Sequence, residues 1–129
     1  PAHGPTGDGL VTALELARVI KREGRPLSSF YEDFANWPQL LVNVEVGTKD
    51  GWETNQELTT AIKTAEGNLI GQGRINVRPS GTQPMIRVMV EADDPDLRDR
   101  EAERVVSAML SAQGGRIYSR VDLTHALGD

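Results

Sequence analysis

The stretch Gly73-Arg74-Ile75-Asn76-Val77-Arg78-Pro79-Ser80-Gly81-Thr82-Gln83-Pro84-Met85-Ile86-Arg87-Val88-Met89-Val90-Glu91 decides the fold. Apolar residues recur at every second position on both sides of a turn-rich centre: Ile75 and Val77 before it, Ile86, Val88 and Val90 after it. That period of two is the period of a half-buried strand, so Gly73 to Pro79 and Met85 to Glu91 are predicted to pair. Their apolar positions share one face. The other face then carries Arg74, Asn76, Arg78, Arg87 and Glu91, and parity sends both Arg78 and Arg87 out on that polar side.

The two arginines flank a connection that supplies two hydroxyls, Ser80 and Thr82, and a residue free to adopt positive φ, Gly81. Successive N–H groups in such a turn can converge into an anion-binding nest. Pro79 and Pro84 bracket the loop and reduce its freedom in the unfolded chain. Two guanidinium forks, two hydroxyls and several amides match the donor demand of a phosphate dianion. No carboxylate lies between Arg78 and Arg87 to repel one. The competing reading is an ordinary hairpin whose Ser, Gly and Pro only make the turn.

Further elements are predicted on either side. Leu40 to Val46 reads as a strand with Val42, Val44 and Val46 on one face, and Lys49-Asp50-Gly51 as a turn. Thr54-x-x-Glu57 reads as a capping box opening a helix with Leu58, Ala61, Ile62 and Ala65 on its buried side and Gly67 at its end. Asp94-Pro95 opens another, with Ala102, Val105, Val106, Met109 and Leu110 inward and Gly114-Gly115 ending it. Earlier in the chain, Asp8 caps a helix in which eight of the eleven residues Leu10 to Ile20 are apolar, stopping near Gly24 before Pro26. A helix this apolar wants partners on more than one side. A short helix is expected from Ser29, with Glu32 as its capping-box partner, to about Ala35. Pro1 to Pro5 carries no pattern, and Arg116 to Asp129 contains a strand-like or helical piece without an assignment. The order points to an α+β fold: a small, mostly antiparallel sheet with its helices on one face.

Composition bounds the function. At 129 residues, with a net charge of −5 and no cysteine, the chain has room for one compact domain and a fragment of a neighbour. Disulfide and thiolate chemistry are excluded, a reducing cytoplasmic setting is expected, and no membrane span or signal peptide is visible. The acidic balance argues against a general nucleic-acid coat, so any anion must be held locally.

The loop resembles the phosphate-binding loop in the C-terminal domain of the α-D-phosphohexomutase superfamily, and within it the bacterial phosphoglucosamine mutases. Thr6-Gly7-Asp8-Gly9, Trp37-Pro38-Gln39-x-Leu41-Val42-Asn43-Val44 and Ile86-Arg87-Val88-Met89-Val90-Glu91 resemble the family's pattern too, and the likeness runs over about residues 6–112. The resemblance implies a TATA-box-binding-protein-like domain and a parent enzyme that interconverts glucosamine 6-phosphate and glucosamine 1-phosphate for cell-wall precursors. It implies residues 1–24 as the terminal helix of a third domain, 25–112 as the C-terminal phosphate-binding domain, and 113–129 as a tail of unknown structure. Arg78, Ser80, Gly81, Thr82 and Arg87 would grip the phosphate that is not transferred. Gln83 stands where the family usually has Glu, leaving in doubt any contact that carboxylate makes to sugar or a neighbouring domain. The family's phosphoserine, its Mg²⁺ held by aspartates and its sugar-reading loop belong to other domains. This chain is thus expected to hold no catalytic residue, metal or cofactor and to be inactive alone. Its expected partners are a phosphosugar, the parent's other domains and, through the helix 8–23, a second copy, but neither nucleic acid nor membrane. A phosphomannomutase or phosphoglucomutase domain, or a stand-alone phosphosugar-binding module, is the alternative.

Other candidates have plainer readings. Asp8 is a helix cap rather than a metal ligand, and His3 and His125 have no second ligand at metal spacing. Ser80 has no nearby base to make it a nucleophile. Asp93, Asp94 and Asp96 serve a helix N-terminus, Met85 and Met89 on the polar face suit interdomain packing, and Trp37 and Trp52 anchor core or rim.

Overall fold

A computed structural model describes residues 7–30 and 36–124 of the chain. Two compact units emerge, Pro1–Ala35 and Asn36–Asp129. The expected segments at Pro1 to Pro5, His3 and His125, and the part of the expected second helix after Phe30, lie outside the described residues.

The first unit holds helix α1, Gly9–Glu23. Asp8 caps it as expected, its carboxylate accepting from the N–H groups of Leu10 and Val11, and Gly24 closes it at φ 66°. No residue of α1 is buried, and Leu10 and Leu14 are largely exposed. Leu27–Phe30 forms a short 3₁₀ turn in which the Ser29 hydroxyl donates to the Pro26 carbonyl.

The second unit is an antiparallel four-stranded sheet with order β2-β3-β1-β4. Its strands are β1 (Gln39–Glu45), β2 (Gly73–Pro79), β3 (Met85–Ala92) and β4 (Arg116–Asp122). Helices α2 (Gln56–Asn68) and α3 (Pro95–Gln113) pack on each other and on the sheet. The alternation read from the sequence sets the layers. Val42, Val44, Ile86, Val88 and Val90 are fully buried against Leu58, Ala65, Leu69, Ala102, Val105, Val106 and Met109 from the helical side. Each fully buried Val, Leu or Ile contributes about 1.5–3 kcal/mol relative to an exposed one, so this layer holds the unit together.

Several boundaries differ from expectation for local reasons. Asn55, not Thr54, caps α2: its side chain accepts from the Leu58 N–H, while the Thr54 hydroxyl turns back to the Gly51 carbonyl. Gly67 lies inside α2, and the left-handed residue after the helix is Gly71, at φ 78°. Met85 is buried despite its polar-side parity. Trp52 packs against the core, whereas Trp37 is 41% exposed. Asp94 caps α3 through the Asp96 N–H, with Pro95 in the first turn.

The segment expected as an unassigned tail supplies β4, which pairs with β1. Its register shifts between Asn43 and Val44, leaving Tyr118 without a partner in the pairing. Polar fasteners hold it: Arg116 to Glu45, Asn43 to Ser119 and Arg120 to Glu103. Arg98 of α3, 7% exposed, reaches the far end through Asp122 and Thr124. Hydrogen bonds from Thr124, and then the Arg98 guanidinium, hold the Asp122 carboxyl down to about 2. Inside α3 the buried Glu101 carboxylate is satisfied by Arg104 at 2.8 Å, Arg100 at 3.6 Å and Asn68 at 3.1 Å.

Candidate functional site

The helices cover one face of the sheet, and register orders the other. Arg74, Glu91 and Gln39 share one cross-strand row; Asn76, Met89, Leu41 and Val121 the next; Arg78, Arg87, Asn43 and Ser119 the third. The β2–β3 pairing therefore sets Arg78 directly opposite Arg87, one row from the hairpin loop. Both expected arginines come together.

Their environment is unusual for this unit. The other six arginines after residue 36, at 74, 98, 100, 104, 116 and 120, each lie within 4 Å of a carboxylate. Among the described residues Arg78 and Arg87 have neither a carboxylate nor a hydrogen-bond partner, and the Arg87 Nε is buried without one. Like charges directly opposite on a sheet destabilise it, and an unpartnered buried donor adds its desolvation cost. This arrangement asks for an anion.

Loop 80–84, which joins β2 to β3, is held at three fixed points. The Ser80 N–H donates to the Met85 carbonyl at 2.8 Å, closing the hairpin, and the Val46 N–H donates to the Pro84 carbonyl at 2.9 Å, tying the loop to the end of β1. The Lys49 ammonium donates to the Ser80 carbonyl at 2.7 Å. Ser80 is buried at 6% exposure, whereas Gly81, Thr82, Gln83 and Pro84 are exposed. Among the described residues the N–H groups of Gly81, Thr82 and Gln83 and the hydroxyls of Ser80 and Thr82 engage no partner. The loop thus presents unengaged donors and no carboxylate.

Gly81 departs from expectation in one respect: it is not in the left-handed region, which Gly24, Gly51, Gly71, Gly114 and Gly115 occupy among the described residues. A Cβ built on it meets nothing within 4 Å. Neither backbone conformation nor packing within the chain requires a glycine there. What its missing side chain leaves open is approach from outside.

Lys49 was not among the residues singled out by sequence, where it reads as turn material. Its neighbourhood is created by the β1–β3 pairing, which brings the turn after β1 against the hairpin loop. No local sequence signal marks Lys49, because its carbonyl partner lies 31 residues away. No three His, Asp or Glu side chains among the described residues are grouped to hold a metal ion, and no described helix is long and apolar enough to cross a membrane.

Comparison with known proteins places this geometry in context. The phosphoglucosamine mutase of Lacticaseibacillus casei is 40% identical over 111 residues, covering 86% of this chain and 24% of that protein. That of Symbiobacterium thermophilum is 51% identical over 93 residues, 72% of this chain and 21% of the relative. A crystal structure of Aspergillus fumigatus N-acetylphosphoglucosamine mutase in complex with GlcNAc-6P and magnesium superposes with a TM-score of 0.60 at 26% identity, over 83% of this chain and 22% of that one. The chain therefore spans about a quarter of the length of the curated relatives it matches. Residues 41–108, from the middle of β1 to within α3, match the family described as phosphoglucomutase/phosphomannomutase, C-terminal domain. With the sheet, the helical layer and the hairpin all inside or adjoining that span, the chain belongs to the phosphoglucomutase/phosphomannomutase C-terminal domain family.

Proposed function

We propose that Arg78, Ser80, Gly81, Thr82 and Arg87 form a phosphate grip within a parent enzyme that interconverts glucosamine 6-phosphate and glucosamine 1-phosphate. The observation that carries this reading is the facing pair of guanidiniums without a carboxylate, in a unit whose other arginines are all paired. A phosphate dianion cancels their repulsion and supplies acceptors to the loop amides and hydroxyls. The phosphohexosamine class is supported by the names of the bacterial relatives and by the GlcNAc-6P bound in the fungal structure.

The role is positioning. A sugar phosphate isomer is made by presenting the molecule in two orientations, and one grip that holds the phosphate not being transferred serves both. The described residues offer no group of three carboxylate or imidazole ligands for a magnesium ion like the one in the fungal relative. The metal and the phosphoserine belong to parts of the parent outside this chain, which is inactive alone. Residues 1–24 are assigned to the preceding domain, where neighbours would cover the exposed Leu10 and Leu14 of α1; in isolation that face favours association with a second copy. Residues 25–112 are assigned to the phosphate-binding domain, whose compact unit begins at Asn36 and whose sheet is extended by β4, Arg116–Asp122. Gln83 is a candidate contact to the sugar or a neighbouring domain, and the enzyme acts in the cytoplasm.

Steady-state kinetics of the intact protein test this. Glucosamine phosphates should be turned over in preference to mannose or glucose phosphates. Arg87→Ala should lower kcat/KM comparably in both directions, by roughly 30- to 1,000-fold, as for loss of a buried charged contact. An Arg87→Ala variant whose kcat/KM stays within threefold of wild type would show that Arg87 does not hold the spectator phosphate. Preference for mannose phosphates would favour the phosphomannomutase for which the family is also named.

A further inference from the structure

Lys49 lies in the turn after β1, half-buried, with its ammonium on the Ser80 carbonyl and no carboxylate partner among the described residues. We propose that Lys49 is a positioning residue of the phosphate grip, fixing the Ser80–Gly81 peptide plane so that the Gly81 N–H faces the ligand. This rests on the reading of loop 80–84 as a phosphate grip.

The argument starts from peptide geometry. A trans peptide is planar, with its C=O and N–H pointing in opposite directions, so a partner that holds the Ser80 oxygen also aims the Gly81 N–H. The sheet does not do this. Its bonds fix the Ser80 N–H at one end of the loop and the Pro84 carbonyl at the other. The Ser80–Gly81 plane can turn about ψ of Ser80 and φ of Gly81, and glycine alone makes that rotation cheap, because positive φ costs it almost nothing. The residue that lets a ligand approach closely is thus also the one that lets its amide turn away. A single ammonium bond of 2.7 Å holds the plane on the side where φ of Gly81 stays out of the left-handed region. Lys49 also brings a third unpaired cation to a loop that already has Arg78 and Arg87, inside a chain of net charge −5.

The test is a titration of the full chain with glucosamine 6-phosphate, followed at the Gly81, Thr82 and Gln83 amides by NMR in wild type, Lys49→Met and Lys49→Arg, with thermal unfolding to confirm that each variant is folded. Lys49→Met should weaken binding by roughly tenfold, in line with loss of a bond from a charged donor. At saturation its Gly81 amide should show less than half the wild-type ligand-induced shift, while Thr82 keeps its own. Lys49→Arg, which retains a charged donor, should stay within about threefold of wild type and restore the Gly81 shift. A role in charge alone would change affinity and leave the saturated Gly81 shift intact, and that result overturns the proposal. So does a Lys49→Met variant that binds within twofold of wild type. A wild-type loop silent to phosphate would instead remove the phosphate reading itself, and the positioning role with it.

Discussion

Replacing Arg87 by methionine should make the ligand-free protein more stable while abolishing its response to phosphate. Arg87 lies opposite Arg78 in the β2–β3 register, with no carboxylate for either among the described residues and its Nε buried without a partner. Two unit charges about 6 Å apart repel by about 0.7 kcal/mol at the dielectric of water and by almost 3 kcal/mol at an effective value of 20. Arg78 is exposed, so the lower part of that range applies after screening. Removing an unsatisfied buried donor adds about 1–3 kcal/mol, part of which is returned through imperfect packing of the shorter side chain. The net expectation is a gain of about 1–2 kcal/mol, visible as a rise in Tm of roughly 4–12 °C for a domain of this size. In chloride buffer free of phosphate and sulfate, thermal and urea unfolding should both report it. Adding phosphate at about fifty times a millimolar Kd should then stabilise wild type by about 2.3 kcal/mol and Arg87→Met by almost nothing. A variant less stable than wild type without phosphate would mean that Arg87 serves packing. A variant that still gains the full increment from phosphate would mean that the anion is held elsewhere.

Other outcomes follow from particular residues. Binding of a phosphate monoester should strengthen as pH rises through about 6, where its second proton leaves; calorimetric titration at pH 5 and 7 checks this. Asp122, held down to about 2 by Thr124 and Arg98, contributes stability that is present above its unfolded value near 3.9 and is lost as pH falls toward 2. Its side chain is 57% exposed, so after screening the contribution is below about 1 kcal/mol; comparing acid unfolding of wild type and Asp122→Asn measures it. Gly115 has φ 100°, and a Cβ on it would run into the Glu45 carbonyl, so Gly115→Ala should cost about 2 kcal/mol or more by urea unfolding. Gln83→Glu should weaken phosphate binding to the isolated chain by a few-fold at low salt, and less at high salt, because it puts a carboxylate beside the anion.

The legible part of this fold is the part written in apolar alternation. Val42, Val44, Ile86, Val88 and Val90 declare their strands because they face the helices, and Asp94-Pro95 and Asp8 declare their helices because capping is local. β4 is nearly silent. Ile117 is its only side chain packed against the core, its register shift breaks the alternation, and its fasteners are ion pairs to residues distant in sequence. Arg98 and Glu101 interrupt the apolar stripe of α3 while being buried, since each is satisfied by charge and hydrogen bonds that periodicity does not record. Thr54 and Asn55 are both competent caps one residue apart, and only the path of the preceding turn selects Asn55. At the site, parity placed Arg78 and Arg87 on one face, but not the register that makes them direct neighbours. Lys49 was invisible because its carbonyl partner is 31 residues away and reached only after β1 and β3 have paired.

Whether phosphate binds where the two arginines face each other is most directly measured at the Arg87 side chain itself. In ¹⁵N-arginine-labelled protein, glucosamine 6-phosphate should shift the Arg87 Nε–H resonance and slow its exchange with water. The Gly81 and Thr82 amides should titrate with the same roughly millimolar Kd, while the paired Arg98 remains unmoved. An Arg87 signal indifferent to saturating ligand, or shifts confined to residues away from loop 80–84, would contradict the account.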